Sequence, residues 1–94
     1  VKVTDVRVRL VTSDSRLRGI VTVTFDDSFV VHDIRVIEGE NGIFVAMPSK
    51  KMPNGGFRDI AHPIHQEMRK AVEDAIIKAY EAAVESQKQE TNGD

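Results

Sequence analysis

Apolar residues recur with a period of two through the first half of the chain and with a helical period through its last third. Val6, Val8 and Leu10 alternate with Arg7 and Arg9, which predicts a half-buried first strand. Asp14-Ser15 and its polar neighbours form a turn. Leu17, Gly19, Val21, Val23 and Phe25 then alternate with Arg18, Thr22 and Thr24, a second strand rich in β-branched residues, in which Ile20 alone breaks the alternation. Asp26-Asp27-Ser28 is a short turn, so the second and third strands should form a hairpin. The third strand, residues 29–37, is apolar on both faces. Val30, Ile34 and Val36 share one with His32, and Phe29, Val31 and Ile37 share the other with Asp33 and Arg35. Such a strand belongs at the centre of a sheet or against a second subunit. After a turn at residues 38–42, residues 43–47 form a short fourth strand. Residues 48–56 read as a polar loop with a strong turn signal at Asn54-Gly55, and residues 57–61 are a candidate fifth strand.

Pro63 suits a first helical position, where its missing N–H costs nothing. From there Ile64, Met68, Ala71, Val72, Ala75, Ala79, Ala82 and Ala83 recur at three- and four-residue spacing. That spacing predicts an amphipathic helix of about six turns whose main stripe packs on the sheet, with Ile76 at its edge. Ile77, Tyr80 and Val84 form a second, narrower stripe. It reads either as scattered surface residues or as a subunit contact. The expected fold class is therefore α+β: an antiparallel sheet of four or five strands followed by one long C-terminal amphipathic helix. Residues 1–86 form the domain and residues 87–94 a polar, disordered tail.

Length changes this picture by limiting the core. A chain of 94 residues buries only about 60–65% of its unfolded surface, and pairing into a homodimer would bury more. With no cysteine, disulfides and thiolate zinc sites are excluded. No basic segment leads into an apolar leader core, and no apolar run approaches the ~18–20 residues of a membrane span. The expectation is a cytoplasmic protein with no membrane partner.

Net charge is −2, which by itself argues against nucleic acid, but its distribution is uneven. Between residues 50 and 70, Lys50, Lys51, Arg58, Arg69 and Lys70 face only Asp59 and Glu67, whereas residues 71–94 are strongly acidic. Lysine and arginine neutralise phosphates and displace counterions, and a helix N-terminus favours anions. Phe57 is the one aromatic residue in this block and reads as core, so a base-stacking sheet is not indicated.

Catalytic constellations are weaker. His62 and His65 lie near Asp59, but Pro63 between them opposes a shared metal, and hydrogen-bonding histidines at a helix start are the simpler reading. His32 and Asp33, adjacent on a strand, point to opposite faces. Asp26-Asp27 is an ordinary turn. Neither a nucleophile elbow nor a phosphate-loop spacing occurs. Asn54-Gly55-Gly56 is a tight turn, and it returns Lys50 and Lys51 towards Arg58. A binding protein is expected rather than an enzyme, with no cofactor, metal or small-molecule substrate.

Four stretches together are far more specific than these motifs. They are Lys2-Val3-Thr4-Asp5-Val6-Arg7, Phe29-Val30-Val31-His32-Asp33-Ile34-Arg35-Val36-Ile37-Glu38-Gly39, Gly42-Ile43-Phe44-Val45-Ala46-Met47-Pro48-Ser49-Lys50 and Phe57-Arg58-Asp59-Ile60-Ala61-His62-Pro63-Ile64. In order and spacing they resemble the SpoVG family, stage V sporulation protein G, from Lys2 to about Ala83. The resemblance implies a small dimeric bacterial regulator that binds DNA and in some cases RNA. It also implies a link to septation and sporulation in spore formers and to gene regulation elsewhere. Carried over, it places nucleic-acid contact on Gln66, Arg69 and Lys70, with Lys50, Lys51 and Arg58 beside them. On that basis the basic block contacts phosphates, and Gln66 or Arg69 is a candidate base reader. The alternative is a protein-interaction module of the division or sporulation machinery, using Ile77, Tyr80, Val84 and the acidic helix face.

Overall fold

A computed structural model describes residues 1–12 and 15–92, with side chains described as far as Gln87; Asp14 of the expected first turn lies outside the described residues. The α+β class is as the periodicities predict. Strands β1 (Val3–Leu10), β2 (Leu17–Phe25), β3 (Phe29–Gly39) and β4 (Gly42–Ala46) form an antiparallel sheet in chain order. Strands β5 (Ser49–Lys51) and β6 (Phe57–Asp59) pair in a separate two-stranded ribbon, and the long helix α1 (Gln66–Asn92) closes the chain. The candidate fifth strand thus extends the ribbon rather than the main sheet. Its partner β5 lies in the segment that reads as a loop.

The core sits between the sheet and the helix. Val21 and Val23 of β2, Ile34 and Val36 of β3 and Val45 of β4 are buried beneath Val72 and Ile76 of α1, with Met47 at the end of β4. The helix packs mainly along β1, with further contacts to β4 and β2. Ile76 is fully buried at the centre of this contact, not at its edge, whereas Ala71 and Ala82 are exposed. The helix docks where its side chains are long enough to reach the sheet, and alanine methyls contribute little buried surface. Ile77 and Tyr80 pack against the same core.

Register explains why β3 looks apolar on both faces. Val21 pairs with Ile34 but Val23 pairs with Val31, so β3 holds one extra residue opposite β2. The bulge lies at His32-Asp33, where Asp33 adopts φ 63° and His32 Nδ1 lies 3.3 Å from Thr22 Oγ1. An extra residue reverses the alternation. Val31 therefore packs on the core side with Ile34 and Val36, and Val30 turns to the outer face. A second shift places Leu17 opposite Ile37 and Gly19 opposite Val36, which moves Leu17 to the outer face as well. There, Leu17 and Ile20 line a cleft of about 290 Å³ against Pro48 and Ile60.

The β2–β3 turn has Asp26 and Asp27 at φ 51° and 50°, with Ser28 N donating to Phe25 O at 2.9 Å. Asp26 also anchors the N-terminus, because its Oδ1 accepts from Lys2 N and its own N donates to Lys2 O.

The helix begins three residues later than Pro63 predicts. His65 is the N-cap: its carbonyl accepts from Arg69 N at 3.1 Å and its Nδ1 accepts from Met68 N at 3.1 Å. Pro63 and Ile64 belong to the approach, and Ile64 is 89% exposed. The helix spans Gln66–Asn92. Glutamine, lysine and glutamate are good helix formers, and Gly93 is the first breaker after Pro63. Among the described residues no helix is long and apolar enough to cross a membrane.

Candidate nucleic-acid interface

Local chemistry builds the β5–β6 ribbon. Met52 N donates to Gly56 O at 2.7 Å, Gly55 N donates to Met52 O, and Asn54 Oδ1 accepts from Gly56 N. Gly55 sits at φ 91°, a conformation that side chains oppose. Ile60 N donates to Pro48 O at 2.7 Å and closes the base. The resulting register sets Lys50 opposite Arg58, Lys51 opposite Phe57 and Ser49 opposite Asp59.

Residues directly opposed in an antiparallel pair share a face, with Cβ atoms about 4.5–5.5 Å apart. Lys50 and Arg58 therefore stand side by side on one face, and Lys51 stands beside Phe57 on the other. All four are exposed. Like charges directly opposed are destabilising, and a two-stranded ribbon is marginal to begin with. Among the described residues none of the three cations forms an ion pair.

The helix start differs. Gln66 is its first residue and is exposed. Arg69 and Lys70 project from the next turn, and each meets an acid one turn on. Arg69 Nη1 lies 3.7 Å from Glu73 Oε2, and Lys70 Nζ lies 3.4 Å from Asp74 Oδ2. Such surface pairs are worth at most about 1 kcal/mol, so a phosphate can compete for either cation. Its two cations are nonetheless each paired with an acid, which the ribbon's cations, with only Asp59 on the same ribbon, are not among the described residues.

Of the six residues that composition and resemblance single out, Lys50, Lys51 and Arg58 converge on one ribbon. Gln66, Arg69 and Lys70 share the first two turns of α1, joined to the ribbon through residues 60–65. Two residues are missing from the sequence reading. Phe57 is 71% exposed rather than core. Arg35, on the outer face of β3, lines the same cleft as Pro48 and Ser49 at the ribbon's base. Nothing along the chain signals Arg35, because only the folding of β3 against β4 brings it near residue 49.

His62 and His65 do not converge on a shared ligand. His62 Nδ1 donates to Pro63 O at 2.9 Å, while His65 Nδ1 is the acceptor of the helix cap. In the second helical stripe, Ile77 and Tyr80 lie partly buried against the core and Val84 is half-buried. The exposed apolar surface lies elsewhere. A groove of about 640 Å³ opens between the β2–β3 turn and the helix start, over Val31, Ile34, Met47, Met68 and Val72. At its edge Phe29 is 67% exposed, as Ile64 is more fully.

Comparison with known proteins gives one consistent result. The family model described as SpoVG matches residues 1–82. A SpoVG septation protein of Acholeplasma laidlawii is 76% identical over 86 residues, covering 92% of each chain. Those of Caldicellulosiruptor saccharolyticus and Clostridioides difficile are 60% and 59% identical over 83 residues, covering 88% of this chain and 94% and 90% of theirs. This chain belongs to the SpoVG family.

Proposed function

We propose that the protein is a non-catalytic, homodimeric regulator linked to septation and sporulation, which acts on gene expression by binding DNA and RNA. The observation that supports this best is the cross-strand pair Lys50–Arg58, with Lys51 on the opposite face, on an exposed ribbon without carboxylate partners among the described residues. An arrangement that costs stability when alone is relieved by an anion, and a run of phosphates supplies several. Gln66, Arg69 and Lys70 extend the footprint along the helix start, whose backbone N–H groups also favour phosphate. Two-fold pairing would present two ribbons and double the number of phosphates neutralised.

The groove beside the helix start, with Phe29 and Ile64 exposed, offers an apolar surface for a dimer contact. In this reading the subunit contact is the groove, not Ile77, Tyr80 and Val84. The same groove supports the alternative, a protein-interaction module for the division machinery.

Titration of labelled duplex DNA and duplex RNA across a salt series separates the two. With about four to six phosphates neutralised, log affinity should fall against log salt with a slope of roughly −4 to −5. A slope near zero would sink the nucleic-acid reading. Loss of function in Ile64→Asp with unchanged function in Lys50→Ala/Arg58→Ala would establish the interaction module instead.

A further inference from the structure

Phe57 is anomalous in a way that the phosphate contacts do not explain. A phenyl ring that is 71% exposed stands directly across from Lys51, on the ribbon that also carries Lys50 and Arg58. Exposed aromatic surface is costly, and here it does not contribute to the core. A symmetric subunit contact is a poor occupant for it. Interface centres are depleted of lysine, and bringing two such faces together would set the Lys51 of one copy against the Lys51 of the other. Duplex DNA is also a poor occupant, since its bases are stacked and its outer surface is phosphate and sugar.

An unpaired base fits both halves of this face. Its ring offers a flat apolar surface to Phe57, and its flanking phosphates meet Lys51 and, around the edge of the ribbon, Lys50 and Arg58. Aromatic side chains interleaved with cations are how proteins hold single strands. Resting on the nucleic-acid reading above, we propose that the β5–β6 ribbon is a single-strand clamp, in which Phe57 stacks on an unpaired base while Lys51 holds the adjacent phosphate. The class of ligand is a flexible, unpaired nucleotide segment: a loop, a bulge or a melted stretch.

The test compares wild type, Phe57→Ala, Phe57→Tyr and Phe57→Trp on oligothymidylate, on oligouridylate and on a duplex of equal length. Stacking predicts that Phe57→Ala loses roughly 5- to 100-fold in affinity for the single strands. Its salt slope should stay unchanged, because no cation is removed, and its affinity for duplex should also hold. Phe57→Tyr and Phe57→Trp should restore single-strand binding. The chain has no tryptophan, so Phe57→Trp places a sole reporter at the site, and its fluorescence should be quenched by single strands and not by duplex. A loss confined to oligouridylate would identify RNA as the source of the unpaired base, and equal losses on both would identify the base alone.

Steep salt-dependent binding by wild type, with Phe57→Ala indistinguishable from it on every substrate, overturns the clamp and leaves the phosphate reading standing. A change of oligomeric state in Phe57→Ala on sedimentation also overturns it, since the ring then belongs to a subunit contact. Absence of wild-type binding to any of the three substrates overturns both readings together.

Discussion

The sheet–helix body and the β5–β6 ribbon treat charge and apolar surface in opposite ways. On the body, four cations find acids: Arg7 meets Asp5 at 3.0 Å, Arg18 meets Glu38 at 2.7 Å, and Arg69 and Lys70 meet Glu73 and Asp74. The valines and isoleucines of the body's core converge on Ile34 and Ile76, which are almost fully buried. On the ribbon, Lys50, Lys51 and Arg58 lack ion partners among the described residues, and Phe57 and Ile60 remain largely exposed. A 94-residue chain has little stability to spare. A segment that satisfies neither its charges nor its apolar surface therefore points to a partner, whereas on the body the large side chains left over beside the groove, Phe29 and Ile64, are apolar.

Isoleucine truncation breaks this comparison most sharply. Ile76→Ala removes a fully buried side chain from between helix and sheet, and should cost about 2–5 kcal/mol in denaturant unfolding. Ile60→Ala, the same chemistry at a site 70% exposed, should stay within about 0.5 kcal/mol. If Ile60→Ala were as costly as Ile76→Ala, Ile60 would be buried in solution against another chain.

Charge removal follows. Lys50→Ala/Arg58→Ala should leave stability unchanged or raise it by up to about 1 kcal/mol, because a like-charged cross-strand pair is relieved. The same variant should flatten the salt dependence of duplex binding by about one slope unit per lost phosphate contact. A stability loss instead would show that the two side chains hold the ribbon together.

The contrast also shows what could be read along the chain. The main strands and the helix were legible because alternation and three-to-four spacing are local consequences of backbone geometry. Legibility failed wherever register mattered. The bulge at His32-Asp33 reverses the faces of β3, and nothing in Phe29-Val30-Val31 marks which valine faces the core. Pro63 points to a helix start, yet His65 supplies the cap, because histidine is not among the usual N-cap residues. On the candidate interface, the turn at Asn54-Gly55 was enough to place Lys50 near Arg58. The exposure of Phe57 was not legible, since a phenylalanine in a short strand reads as core whether or not a core lies beneath it.

Smaller effects refine the body. Asp27 holds φ 50° in the β2–β3 turn, where glycine is at ease, and among the described residues its side chain makes no contact comparable to that of Asp26 with Lys2. Asp27→Gly should therefore raise the thermal midpoint, with a gain of up to about 1 kcal/mol. Asp26→Gly gives up the Lys2 anchor and should gain less or lose stability.

The finest test turns a body cation into a ribbon-like one. Asp74→Asn removes the acid that faces Lys70 at 3.4 Å and keeps the shape of the side chain. An exposed i,i+4 pair contributes about 0.3–0.5 kcal/mol, so unfolding should change by no more than that. Nucleic-acid binding should change more than stability does, because Lys70 no longer has to leave a carboxylate before it meets a phosphate. Affinity for duplex at low salt should rise and the salt slope should steepen by up to about one unit. If both stay unchanged while Lys50→Ala/Arg58→Ala abolishes binding, the helix start lies outside the interface, and the ribbon alone distinguishes the binding surface from the rest of the molecule.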